Sequence, residues 1–188
     1  MSDPIAYVVI AICMVLLIVP IVSYNRFIAQ RNLIQNSWSN IDTELKRRYE
    51  LIPNLVETVK GYATHERAVL EAVTEARLHA VAEHGSPEQQ AATERPLVSA
   101  LRRLIAVAEA YPELKASGHF LSLQDELTRT EDRIQAARRF YNANVRDHNI
   151  RVGSFPSSLV ARAFGFRPAE FFNVDTALRE APAVGMGA

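Results

Sequence analysis

Cysteine is nearly absent from these 188 residues: Cys13 stands alone. A single thiol excludes an internal disulfide and a cysteine-based zinc site, and it leaves the redox compartment unreadable. Net charge is absent too, since Lys+Arg and Asp+Glu both number 21. Without a basic excess there is no overall field to draw in a polyanion, so nucleic acid is not an expected partner. The seven glycines are scattered and form neither GxGxxG nor GxxxxGK[ST], which removes phosphate-cradling loops. No GxSxG elbow occurs, and Cys13 lies in an apolar run, so the usual nucleophiles are missing. A di-iron site would need Glu-x-x-His pairs; Glu75 and His79 are one residue too far apart, and His65-Glu66 and Glu83-His84 are adjacent and point to different helix faces. No catalytic residue, metal site or cofactor is expected, and the chain does not read as an enzyme.

What is present begins with IAYVVIAICMVLLIVPIV, Ile5 to Val22, which carries no charge. An uncharged run of about 18 residues spans the hydrocarbon layer as a helix, so the bilayer is the first expected partner. Pro20 falls near its end, and Tyr7 and Tyr24 flank it like interfacial aromatics. A cleaved signal peptide would want a basic start and small residues before the cut, and a lipoprotein signal would want Cys13 after a small residue beyond the apolar core. Neither pattern fits, because Ile12 precedes Cys13 and the run continues from Met14 to Val19. No Lys or Arg precedes the span, whereas Arg26 and Arg31 follow it, which favours the cytoplasmic over the extracytoplasmic side for the remainder of a single-pass bacterial membrane protein.

Beyond Asn25, long segments of helical period alternate with short breaks, and no strand-like alternation occurs. Ile34, Trp38, Ile41, Leu45, Tyr49, Ile52, Val56 and Val59 recur at spacings of three and four, giving one apolar stripe. Pro53 interrupts it and predicts a kink or a restart, and the stripe's survival across it favours a kink. Gly61 reads as a helix end and Thr64 as the next cap. Ser86-Pro87-Glu88-Gln89 reads as a capping box opening a third helix, with Leu97, Leu101, Leu104, Ile105 and Ala108 inward. After Tyr111-Pro112 and a turn near Gly118, a last long helix from about Phe120 to Val152 carries Leu123, Leu127, Ile134, Tyr141 and Val145. The fold class is all-α: an N-terminal transmembrane helix (1–24), an up-down antiparallel four-helix bundle with a short C-terminal helix (25–172) and a flexible tail (173–188).

Two groups of residues are candidates for function. Gln124, Glu131, Arg138 and Asn142 share faces with Leu127, Ile134 and Tyr141, and buried polar groups require partners. Asp42, Arg48 and Asn54 on the first helix are positioned to supply them, giving an interior network that fixes helix register and offers a polar core for a small ligand. Arg48 also belongs to the basic cluster Lys46-Arg47-Arg48, which reads first as a solvated face paired with Glu44 or Glu50. The second group is Phe155, Phe164, Phe166, Phe171 and Phe172, five phenylalanines in eighteen residues, which either cap the open end of the bundle or form a partner-binding patch.

The strings SWSNIDTELKRRYELIPNLVETVKGYATHE, LIAVAEAYPELKASGHFLSLQDELTRTEDRIQAARRFYNANV and FPSSLVARAFGF closely resemble the LemA family. The resemblance runs from Tyr24 to Phe172 and implies a membrane-anchored helical bundle with no active site to carry over. Some relatives are associated with magnetosome membranes, and others carry a lipoprotein-type signal that this sequence lacks. The expected role is that of a scaffold or adaptor binding another protein or a second copy of itself; the alternative is a sensory or accessory subunit binding a small ligand in the polar core.

Overall fold

The computed structural model describes residues 4–63 and 65–174. Within them are six helices and no strand: α1 (Pro4–Lys60), α2 (Arg67–Ala82), α3 (Pro87–Glu109), α4 (Pro112–Lys115), α5 (Gly118–Gly153) and α6 (Ser157–Phe164). The all-α class follows from the apolar periodicities, because a helix buries residues three and four apart on one face. The Thr64 cap and the tail beyond Val174 lie outside the described residues.

Helix α1 is long because nothing stops it. Its apolar run passes without a break into the amphipathic stripe, and Pro20 and Pro53 both lie inside continuous helix. From Ile5 to Val19 every described side chain is exposed, as expected of a helix whose apolar surroundings are lipid rather than protein. Pro53 lacks the N–H that would bond the Tyr49 carbonyl one turn earlier. That carbonyl instead accepts from Arg77 Nε of α2 at 2.7 Å. The expected interruption is therefore a cross-helix contact and not a restart.

The chain divides into two compact units. One combines the described parts of Met1–Ile41 with Ala137–Phe171; the other combines Asp42–Ala136 with the described part of Phe172–Ala188. In the second unit the distal part of α1, α2, α3 and the first half of α5 form a helical bundle. Its core includes Leu45, Ile52, Leu55, Val59, Val73, Leu97, Leu104, Leu114 and Leu127. Helix α3 opens with the capping box: Ser86 Oγ accepts from the Gln89 N–H and the Gln89 side chain accepts from the Ser86 N–H at 2.7 Å.

In the first unit α5 descends antiparallel to α1. Asn144 Nδ2 donates to Ser37 Oγ at 3.4 Å, Arg151 Nε donates to Gln30 Oε1 at 3.2 Å, and the His148 ring meets the Phe27 ring edge-on. Helix α6 follows and ends at Gly165, whose φ of 71° is the left-handed conformation that glycine adopts without a Cβ penalty. The Phe166 N–H closes the turn on the Ala161 carbonyl at 2.9 Å. The chain then climbs back along α5, held by its backbone. Asn149 exchanges two hydrogen bonds with Ala169, at 3.0 and 2.8 Å, and the Tyr141 hydroxyl donates to the Glu170 carbonyl at 2.9 Å.

Candidate functional site: a buried charge cluster and an adjoining groove

At the centre of the second unit lies Arg48, 1% exposed, paired with Glu94 of α3 and, at 2.7 Å, with Glu131 of α5. Glu94 is also 1% exposed. An uncompensated charge at such a depth costs several kcal/mol, so the guanidinium and the two carboxylates depend on one another as a set. The set is closed by neutral groups. The Tyr49 hydroxyl donates to Glu94, and Gln90 Nε2 lies 3.0 Å from Glu94 Oε1, 3.1 Å from the Tyr49 hydroxyl and 3.2 Å from the Ala80 carbonyl of α2. Burial pushes the Tyr49 phenol up to about 12, against the opposing pull of Arg48. The guanidinium is not fully satisfied, since its buried Nε has no hydrogen-bond partner.

Glu131 has a second face. Its side chain is 16% exposed and lines a groove of about 410 Å³ between α3 and α5. Val98, Leu101, Ile105 and Leu127 supply apolar lining, with Arg102, Gln124, Thr128, Asp132 and Gln135 among them. Arg102 Nε is buried there without a hydrogen-bond partner.

The sequence candidates are distributed as follows. Arg48 and Glu131 meet. Asp42 stands outside their cluster and pairs with Lys46 at 2.6 Å on the surface, and Asn54 is exposed, its carbonyl accepting from Thr58 Oγ1 at 2.7 Å. The basic cluster is split: Arg47 reaches Glu44 at 3.5 Å, while Arg48 turns inward. Arg138, Tyr141 and Asn142 belong to the other unit, where Tyr141 is buried against Trp38 with ring centroids 5.4 Å apart. Burial pushes the Tyr141 phenol up to about 12, with Glu170 adding to it. Glu94 and Gln90 were not candidates, although Glu94 precedes Leu97 and Val98 at the spacings of the α3 stripe and Gln90 lies one turn earlier.

The phenylalanines also separate. Phe166 stacks on Phe27 at 4.6 Å, and Phe164 lies 4.9 Å from Tyr24. Phe172, in the other unit, is fully buried, whereas Phe155 and Phe171 are exposed.

An exposed apolar helix continuous with an all-helical bundle defines a membrane-associated helical protein. The chain belongs to the LemA family, whose model matches residues 37–185. It is 28% identical over 174 residues to Magnetosome protein MamQ 2 of Paramagnetospirillum magneticum, covering 79% of this chain and 64% of that one. To Magnetosome protein MamQ of Magnetospirillum gryphiswaldense it is 25% identical over 175 residues, covering 80% and 64%. Protein LemA of Metamycoplasma hominis is 28% identical over 138 residues, covering 73% of this chain and 63% of the relative. The chain thus spans just under two thirds of the length of these relatives.

Proposed function

We propose that the protein is a non-catalytic adaptor that holds a helical bundle at a membrane and offers the α3–α5 groove to a protein partner. The observation that carries this reading is the continuity of α1: the helix bearing the exposed apolar run also bears Arg48 and Tyr49 of the bundle core, with no linker between. Arg48 is engaged by Glu94 and Glu131, so the core charges serve to fix the helices while the groove stays open at the surface. That relatives carry the name magnetosome protein agrees with a role at a membrane-bound structure. The bundle is read as cytoplasmic.

The test is site-specific photocrosslinking in intact cells. A crosslinker at Ile105 or Thr128 is expected to give discrete protein adducts, and one at exposed Lys60 none. Indistinguishable patterns at the three positions would reject the groove as the docking face.

A second reading, a sensor for a small ligand, is favoured by the unpartnered Arg102 Nε in the groove wall. It predicts thermal stabilisation by an anionic metabolite that is lost in Arg102→Ala.

A further inference from the structure

The end of the first unit carries apolar side chains that the protein leaves uncovered. Phe155 is 81% exposed, Leu159 57% and Phe164 60%. Leu159 lies on the face of α6 opposite Val160 and Ala161, which are buried against Phe27, while Phe155 precedes the helix and Phe164 ends it. The position of this end along α1 is fixed by its rings, because Phe164 packs on Tyr24 and Phe166 on Tyr24 and Phe27. Tyr24 is two residues beyond Val22, about 3 Å along the helix axis, and Phe27 about 7.5 Å. The headgroup layer is roughly 5–7 Å thick on each side of the hydrocarbon. Helix α6 therefore lies between that layer, at Tyr24, and its outer edge, at Phe27.

The charge of the two stretches nearest α6 has one sign, Asp147 standing just outside them. No Asp or Glu occurs between Pro20 and Ile41 or between His148 and Ala169, and those stretches contain Arg26, Arg31, Arg151, Arg162 and Arg167. Apolar side chains among arginines, next to the exit of a spanning helix, match an anionic lipid surface: rings and leucine enter the acyl boundary while guanidinium groups remain with phosphates.

We propose that α6 with the preceding Phe155 turn is an interfacial foot, which seats Phe155, Leu159 and Phe164 in the headgroup layer of an anionic leaflet where α1 emerges. The foot makes a second, lateral contact with the same bilayer and fixes the tilt of α1 at its exit. It rests on the reading that Ile5 to Val22 crosses the membrane, and the controls below separate the two.

The test uses the full chain with Cys13→Ser, reconstituted in vesicles of phosphatidylcholine and phosphatidylglycerol. Nitroxides are attached singly at Phe155→Cys, Leu159→Cys, Ile12→Cys in the span and Leu78→Cys on α2. Relaxation by oxygen, which partitions into lipid, is compared with relaxation by a water-soluble nickel chelate. The Phe155 and Leu159 labels are expected to favour oxygen several-fold relative to Leu78 and to lie shallower than Ile12. Arg162→Glu combined with Arg167→Glu is expected to restore nickel access at Leu159 and leave Ile12 unchanged. Nickel access at Phe155 and Leu159 equal to that at Leu78, with Ile12 in lipid, overturns the foot alone. An aqueous Ile12 overturns the spanning reading and the foot together. Spin–spin broadening at Leu159 with exclusion of both relaxants assigns the face to a second copy and also overturns the proposal.

Discussion

At Arg48 a single side chain holds three helices together, and the consequences of removing its partners differ with their exposure. Glu94 is buried on all sides, so Glu94→Ala leaves half a cation uncompensated and Tyr49 and Gln90 without their acceptor. The expected loss is about 3–5 kcal/mol of unfolding free energy. Glu131 borders the groove, where water replaces part of what is lost, so Glu131→Ala is expected to cost about 1–3 kcal/mol. Urea titrations of the full chain in detergent, followed by circular dichroism, measure both; equal losses would contradict the assigned depths. The phenols add a pH prediction. Tyr49 and Tyr141 are both raised from 10 to about 12 in the folded chain, so the fold retains protons that the unfolded chain releases. Their contribution is complete below pH 10 and is lost as pH rises towards 12. The melting temperature is therefore expected to fall across that interval, and Tyr49→Phe to flatten the decline. That Arg48 and Glu131 each share a face with apolar neighbours on a long helix is visible in the sequence, but their pairing is not, because Asp42 and Asn54 offer themselves equally and Arg48 also reads as part of a solvated basic cluster. Glu94 was not legible either, since a Glu beside Arg95 and before Pro96 reads as solvated surface; only its register with Leu97 and Leu101 marks it as inward.

Among the elements, α1 runs unbroken through Pro53, and a contact from α2 answers the proline. A proline in a helix interior removes one backbone hydrogen bond and costs about 3 kcal/mol or more when the freed carbonyl has no other donor. Here Arg77 supplies the donor, which turns a helix defect into an attachment point for α2. Arg77→Ala is therefore expected to cost about 1–2 kcal/mol beside Pro53. In a Pro53→Ala background the cost should shrink, because the alanine N–H recovers the Tyr49 carbonyl. A double-mutant cycle on unfolding free energies is expected to give a coupling of roughly 0.5–3 kcal/mol; additive effects would mean that Arg77 does not answer the proline. Signals confined to one helix, such as the Ser86–Gln89 capping box or the α5 stripe, were readable because residues within four positions decide them. The rescue of a carbonyl by a residue 28 positions away was not. The fate of the phenylalanines was likewise hidden, since whether Phe166 returns onto Phe27 depends on the left-handed turn at Gly165.

For the molecule as a whole, the side of the membrane on which the bundle stands is an electrostatic question, and the linear sequence undercounts the charges that bear on it. Near the span the sequence offers Arg26 and Arg31 alone. The fold adds Arg151, Arg162 and Arg167, because α5 descends along α1 until Arg151 bonds Gln30, and α6 packs at Tyr24. Each basic residue held near an anionic leaflet contributes about 1 kcal/mol. The leaflet with the larger anionic potential is the cytoplasmic one, so three further arginines favour the same side as the two next to the span. The proposal of a cytoplasmic bundle leads to a definite expectation. In a Cys13→Ser chain carrying Leu78→Cys, a membrane-impermeant maleimide is expected to leave intact cells unlabelled and to react after permeabilisation. Labelling of intact cells would put the bundle outside the cytoplasm. The foot arginines would then face the outer leaflet, and substituting Arg162 and Arg167 should leave orientation unaffected. Under the cytoplasmic reading, the same pair changed to Glu in an Arg26→Gln, Arg31→Gln background is expected to shift a measurable fraction of chains to the labelled, inverted form.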